Sequence, residues 1–89
     1  MYSRDASEKL AMIEIVMPQF GETVEEEITI NKWLKKMGDP IEAGEVLLEV
    51  ETDKATLSVE AADSGKLAQI VKDAGQVVKP RTVIGYLEN

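Results

Sequence analysis

A 37-residue internal repeat is the feature that most constrains the fold of this chain. When Gly38 is aligned with Gly75, apolar residues coincide at seven further positions. These pairs are Ile30/Leu67, Trp33/Ile70, Leu34/Val71, Ile41/Val78, Val46/Val83, Leu47/Ile84 and Val50/Leu87. The first two members of each half are three residues apart rather than two, which predicts a β-bulge at equivalent places. Two similar halves predict a pseudo-twofold sandwich.

Short apolar and β-branched runs predict an all-β chain. We expect strands over 13–17, 27–34, 46–50, 55–59, 66–72, 77–78 and 83–87, separated by turns rich in Gly, Pro and Asp. No amphipathic helix of useful length is present. We expect residues 1–11 to be a disordered lead or residues added in cloning, and 12–89 to form one small domain. Gly38 and Gly75 are interpreted as turn residues with backbone freedom, and Trp33 as packing.

The run Glu49 to Val59 contains the candidate functional residue, Lys54. Strand-like residues on both sides enclose a polar turn with Asp53 and Lys54 at its centre. Asp53 is predicted to form this turn, because an Asp carboxylate can accept hydrogen bonds from nearby backbone N–H groups. The sequence therefore predicts one lysine displayed at the tip of a hairpin.

The repeat also predicts where this tip lies. The 37-residue offset places Thr52 on Asn89, so the lysine tip and the last residue should occupy opposite poles. The first strand is the counterpart of the strand after Lys54 and should run toward the lysine pole. Its following loop, 18–26, then arrives beside Lys54. This loop is longer than its counterpart at Asp63 and Ser64, which favours a role in recognition.

The composition argues against several classes of function. The chain has no Cys and no His, which excludes disulfides, thiolate sites and the commonest general base and metal ligand. We assign no catalytic residue and no metal site. A net charge of −7 argues against nucleic acid or an anionic membrane as a partner. No apolar run approaches the ~18 residues of a membrane span and residues 1–11 lack a secretory signal, so a soluble, intracellular protein is expected.

Several motifs occur together in this chain: Glu51-Thr52-Asp53-Lys54-Ala55, Met17-Pro18 with Gly21-Glu22, Trp33 followed by Gly38-Asp39, and Gly65 followed by Gly75. In combination they resemble the lipoyl domain of 2-oxo acid dehydrogenase acyltransferase components. The resemblance covers residues 12–88. It implies a flattened barrel or sandwich of two four-stranded antiparallel sheets, with lipoic acid in amide linkage on Lys54. Glu51, Asp53 and Ala55 would be recognised around the attachment turn, and Phe20, Gly21, Glu22 and Thr23 would form a partner-recognition loop.

The resemblance further implies the function of a swinging arm, without catalysis by the domain itself. A lipoate ligase or lipoyl transferase would modify Lys54. A thiamine diphosphate-dependent decarboxylase would then acylate the arm, an acyltransferase core would pass the acyl group to coenzyme A, and dihydrolipoamide dehydrogenase would reoxidise the arm. The implied compartment is the cytoplasm in a bacterium or the mitochondrial matrix in a eukaryote.

Two other functions stay open at this point. A biotin carrier shares the hairpin lysine, but such domains typically flank it with methionine, whereas Asp53 and Ala55 flank Lys54 here. An unmodified β-sandwich could instead serve as an adaptor. A glycine-cleavage carrier usually has extra helical segments for which this chain has no room.

Overall fold

Eight β-strands form the fold. The structure, a computed structural model, describes residues 12–21, 23 and 25–89; the prediction for residues 1–11 lies outside this range. The strands are β1 (Met12–Val16), β2 (Ile28–Trp33), β3 (Pro40–Ile41), β4 (Val46–Glu51), β5 (Thr56–Glu60), β6 (Gly65–Ile70), β7 (Val77–Val78) and β8 (Val83–Glu88). The described residues include no helix that is long and apolar enough to cross a membrane.

The strands pair into two antiparallel sheets of four strands each. The lysine sheet has the order β5-β4-β2-β7, and the opposite sheet has the order β1-β8-β6-β3. This arrangement confirms the predicted all-β sandwich. The two sheets remain separate, however, and do not close into a barrel.

One strand was not predicted, and two strands, β2 and β6, are shorter than predicted. β3 is only two residues, Pro40 and Ile41, and too short to show a period; Ile41 pairs with Gly65 and Pro40 with Lys66. It lies at a sheet edge, where a proline does not interrupt a hydrogen-bonded ladder. β6 ends at Ile70 rather than Lys72. Beyond Ile70 the chain leaves the sheet, and the amides of Val71 and Lys72 both donate to the carbonyl of Ile84.

The predicted twofold symmetry is present in both the strands and their hydrogen bonds. The 37-residue offset carries β2, β3 and β4 onto β6, β7 and β8. The turns that contain Gly38 and Gly75 make equivalent hydrogen bonds to the other half of the repeat. The amide of Gly38 donates to the carbonyl of Leu67, and the amide of Gly75 donates to the carbonyl of Ile30, each at 2.7 Å. Register shifts after Ile30 and Leu67 confirm the predicted pair of bulges.

A single apolar core fills the space between the sheets. Its buried members are Ile15, Met17, Ile28, Ile30, Ile41, Leu47, Leu48, Val50, Val59, Ala61, Leu67, Val78, Ile84 and Leu87. Trp33 packs against this core, and its indole N–H donates across the molecule to the carbonyl of Lys72 at 2.8 Å. The interpretation of Trp33 as a packing residue is therefore confirmed.

Strand pairing fixes the two ends of the molecule. β4 runs toward Lys54 and β5 returns; a four-residue connection then leads from Glu60 into β6, where Lys66 pairs with Glu88. The end of β8 thus lies at the far pole, opposite the lysine pole. β1 starts beside Glu88 and runs antiparallel to β8, so it ends toward the lysine pole. Both placements agree with the predictions from the repeat.

Candidate lysine attachment site

Lys54 is exposed at the tip of the hairpin between β4 and β5. The lysine turn, residues 52–55, continues the antiparallel ladder, since the Thr52 amide donates to the carbonyl of Ala55 at 2.8 Å. Neither central residue of the turn has a positive φ. The turn is therefore closed tightly by the residues on either side of Asp53 and Lys54, and the lysine side chain extends from the end of the sheet.

The residue that forms this turn is Thr52, and the prediction that Asp53 forms it is wrong. Thr52 is 8% exposed, and its Oγ1 accepts hydrogen bonds from the amides of Lys54 and Ala55, each at 3.2 Å. It also donates to the carbonyl of Ala55 at 3.3 Å. The Asp53 side chain is exposed, and no hydrogen bond to its carboxylate occurs within the described part of the chain. A Thr at the first position of a turn, directly before its two central residues, is a weak sequence signal for such a turn.

The three residues that were predicted to be recognised around the attachment turn flank Lys54 and are exposed. They are Glu51, Asp53 and Ala55. Glu51 is the last residue of β4, and its Oε1 accepts a hydrogen bond from the side-chain amide of Asn31 at 3.4 Å. A partner approaching Lys54 would therefore meet two carboxylates and a small side chain.

The predicted recognition loop lies beside this turn, and its residues differ in their burial. Gly21 and Thr23 are exposed, whereas Phe20 is half-buried and packs against the core. Phe20 thus attaches the loop to the sandwich. Glu22 lies outside the described residues. The loop is also tied by short hydrogen bonds, from the Gln19 side chain to the carbonyl of Gly21 and from the Glu25 amide to Oγ1 of Thr23, both at 3.0 Å.

A groove of about 620 Å³ separates the loop from the lysine turn. Its lining residues are Gly21, Thr23, Glu26, Glu27, Thr29, Glu51, Thr52, Asp53, Lys54 and Val77. Four of these carry carboxylates, so the groove beside Lys54 is acidic. Val77, on β7, is 56% exposed and gives the groove an apolar patch. Val77 was not predicted as a site residue, because a β-branched side chain in a strand signals only a strand.

An ion pair joins the recognition loop to the other side of the lysine pole. Nζ of Lys79 lies 2.9 Å from Oε1 of Glu25, and both side chains are more than half exposed. The hydrogen bond from Lys79 lowers the pKa of Glu25, and the same hydrogen bond raises the pKa of Lys79. The pair is intact at neutral pH and is lost as the pH falls through the lowered pKa of Glu25. At this exposure, salt screens it.

These features define a class of protein: a small β-sandwich that presents one exposed lysine at a hairpin tip beside an open groove is a carrier domain. The family model described as "Biotin-requiring enzyme", for biotin- and lipoyl-attachment domains, matches residues 13–87. The chain belongs to this biotinyl/lipoyl attachment family, and it is homologous to the lipoyl domains of acyltransferase components.

Individual relatives agree with this assignment. The chain is 45% identical over 76 residues to the dihydrolipoyllysine-residue succinyltransferase component of the 2-oxoglutarate dehydrogenase complex of Bacillus subtilis, covering 85% of this chain and 18% of that protein. It is 47% identical over 76 residues to the acetyltransferase component of the pyruvate dehydrogenase complex of Rhizobium meliloti, covering 84% and 17%. The chain thus spans less than a fifth of the length of these relatives.

A solved structure shows the same fold. The solution structure of the lipoyl domain of the 2-oxoglutarate dehydrogenase complex from Azotobacter vinelandii superposes with a TM-score of 0.68 at 34% sequence identity. The match covers 86% of this chain and 96% of the other. The similarity therefore extends over nearly all of a lipoyl domain.

Proposed function

We propose that this domain carries lipoic acid in amide linkage on Lys54 and presents it to the enzymes of a 2-oxo acid dehydrogenase complex. The observation that carries the proposal is the lysine turn: Lys54 is exposed at its tip, while Thr52 holds the backbone on either side. Membership of the attachment family and 45–47% identity to acyltransferase components support the choice of lipoic acid.

The residues at the tip fit such a group. An amine that is to be acylated must be sterically open, and Lys54 is exposed beside an open groove. The Lys54 ammonium would first lose one proton, and the neutral Nζ would attack the carbonyl carbon of an activated lipoyl mixed anhydride. As the C–N bond forms, the C–O bond to the phosphate breaks, the phosphate ester leaves, and the nitrogen loses a second proton. Because one positive charge disappears, the net charge of the chain changes from −7 to −8.

The bound group would supply the disulfide that accepts an acyl unit and two electrons from a decarboxylase. The domain supplies reach and a local concentration. By covalent dimensions, a lysine with a lipoyl group extends on the order of 10 Å. Tethering through a flexible linker raises the concentration at each active site to roughly the mM range.

The proposed partners follow from this role. They are a lipoate ligase or lipoyl transferase, a thiamine diphosphate-dependent 2-oxo acid decarboxylase, an acyltransferase core with coenzyme A, and dihydrolipoamide dehydrogenase. Relatives named as parts of both the 2-oxoglutarate and the pyruvate dehydrogenase complexes support partners of this kind. We propose the compartment of these complexes, the bacterial cytoplasm or the mitochondrial matrix, as the site of action.

Intact mass spectrometry tests the proposal. Protein from a host supplied with both lipoate and biotin should gain one lipoyl group, and tandem spectra should place it on Lys54. The variant Lys54→Arg keeps the charge but cannot be acylated by a ligase, so it should gain nothing. A gain of biotin instead of lipoate, or a lipoyl group on another lysine, would refute the proposal.

A further inference from the structure

We propose that the hydroxyl of Thr52 is a positioning group for lipoylation: it holds the backbone of Lys54 in the conformation that the ligase accepts. This inference rests on the proposed function and extends it to a residue beneath the lysine. Thr52 does not touch the reacting amine through any described contact. Its effect would be transmitted through the backbone amides of Lys54 and Ala55.

The hydrogen bonds of Thr52 satisfy backbone N–H groups of the lysine turn. The ladder hydrogen bond joins the amide of Thr52 to the carbonyl of Ala55, but it leaves the amides of Lys54 and Ala55 without a backbone acceptor within the turn. Oγ1 of Thr52 accepts from both. Since a backbone N–H without a partner costs free energy, one hydroxyl stabilises the turn conformation on both sides of the Lys54 Cα.

The burial of Thr52 also sets it apart. Among the described residues, it is the polar side chain that falls in the buried class, at 8% exposure. Burying a hydroxyl is unfavourable unless its hydrogen bonds are made, and all three contacts of Thr52 lie within the lysine turn. A side chain of this kind constrains the turn, because any other turn conformation would break these hydrogen bonds inside the protein.

The repeated frame does not itself require a hydroxyl at this place. The 37-residue offset carries Thr52 onto Asn89, which follows β8 at the far pole and is exposed. The equivalent position in the other half therefore carries no hydroxyl. What distinguishes Thr52 is the lysine that follows two residues later, so we assign the hydroxyl to presentation of that lysine rather than to the core.

The test compares three substitutions at and near this position. Thr52→Val replaces the hydroxyl by a methyl of similar size, Thr52→Ser keeps the hydroxyl, and Thr56→Val removes an exposed hydroxyl next to the turn. Initial rates of lipoylation are measured with purified ligase, lipoate and ATP over a range of domain concentrations. We expect kcat/KM to fall about tenfold in Thr52→Val, as the loss of turn hydrogen bonds predicts, and to stay near wild type in the other two.

Two further readouts separate positioning from general damage. Acetylation of Lys54 by a small N-hydroxysuccinimide ester should be unchanged in Thr52→Val, because the reactivity of the amine does not depend on turn geometry. Amide hydrogen exchange at Lys54 and Ala55 should accelerate in Thr52→Val, while exchange in β2 and β8 stays slow. If the valine disturbs these strands, Thr52→Ala provides a second variant without the added methyl.

Particular outcomes would overturn the inference. Lipoylation of Thr52→Val at the wild-type rate would do so, as would a Thr52→Ser variant as slow as the valine variant, or chemical acetylation that falls in parallel with the enzymatic rate. A wild-type domain that accepts no lipoate would refute the proposed function itself. Modification of the wild type with no effect of Thr52→Val would refute only the role of Thr52.

Discussion

At the scale of single residues, two equivalent positions in the halves of the repeat share a left-handed backbone conformation but carry different side chains. Gly44 has φ 93°, and its symmetry counterpart Arg81 has φ 71°. Both amides donate to equivalent carbonyls, Gly44 to Ala61 at 2.8 Å and Arg81 to Met17 at 2.7 Å. The left-handed conformation is therefore required by the fold. Glycine adopts it without a steric penalty, whereas arginine does not.

Substitutions at this pair should have opposite effects on stability. Gly44→Ala should lower the free energy of unfolding by about 1 kcal/mol, because a Cβ disfavours positive φ. Steric contact is not the cause, since among the described residues no atom beyond the two chain neighbours lies within 4 Å of that Cβ. Arg81→Gly should raise it by up to about 1 kcal/mol, the relief of strain exceeding the added freedom of the unfolded chain. Thermal denaturation measures both, at about 4–8 °C per kcal/mol for a domain of this size.

The control is Ala43→Gly, which increases the conformational entropy of the unfolded chain at a neighbouring residue that has no positive φ. It should lower the melting temperature modestly. Shifts of the melting temperature in the same direction for Gly44→Ala and Arg81→Gly would show that the left-handed conformation does not govern stability at these two positions.

At the scale of strands, a large and a small residue compensate for each other across the sandwich. Trp33 on β2 is the counterpart of Ile70, and Gly85 on β8 is the counterpart of Leu48. A Cβ built on Gly85 would lie 3.4 Å from Cη2 of Trp33 and 2.8 Å from the carbonyl oxygen of Gln69. The absent side chain of Gly85 thus makes room for the indole and for close approach of β6.

Gly85→Ala should therefore destabilise the domain by about 1–3 kcal/mol, the range for overpacking a core. In a Trp33→Leu background the same substitution should lower the free energy of unfolding by less, because the contact with the indole is removed. Some destabilisation should remain, because the contact with the Gln69 carbonyl is still present. Urea denaturation of the four proteins of this double-mutant cycle measures the coupling. Strictly additive effects of the two substitutions would contradict the proposed compensation.

At the scale of the whole molecule, the symmetry is broken at the connections between strands. The connection from β1 to β2 comprises residues 17–27 and lies beside Lys54, whereas the equivalent connection from β5 to β6 comprises residues 61–64 at the far pole. Each contains a hydroxyl that accepts a backbone amide at 3.0 Å, Thr23 from Glu25 and Ser64 from Ala43. Thr23 and Ser64 therefore make the same kind of hydrogen bond at opposite poles, and substitutions at the two positions can be compared directly.

If the loop at the lysine pole is read by the decarboxylase, Thr23→Arg should slow reductive acylation of the lipoylated domain severalfold, since a large cation replaces a small side chain beside Lys54. Lipoylation should be affected less. Ser64→Arg should leave both rates unchanged, because this residue faces away from the attachment site. Stopped-assay acylation with labelled 2-oxo acid and lipoylation by mass measure the two steps. Equal loss in both variants, or in both steps, would count against recognition through this loop.

The sequence alone determined the repeated sandwich and the identity of the displayed lysine. The apolar and β-branched runs placed β1, β2, β4, β5, β6, β7 and β8 within two residues of their observed bounds. The 37-residue offset placed both bulges. It also predicted that Lys54 and the end of β8 lie at opposite poles. These predictions succeeded because apolar periodicity is repeated in both halves, and each half therefore supports the other.

The tertiary structure alone decided how the lysine is held and what lies beside it. Thr52 rather than Asp53 forms the turn, because the hydrogen bonds depend on which side chain points inward when β4 ends. Val77 enters the groove because β7 pairs with β2 at the lysine pole, 23 residues along the chain from Lys54. Packing of the two sheets decides which way a side chain points at the end of a strand. It also decides which distant strands lie next to each other. No local sequence pattern encodes this packing.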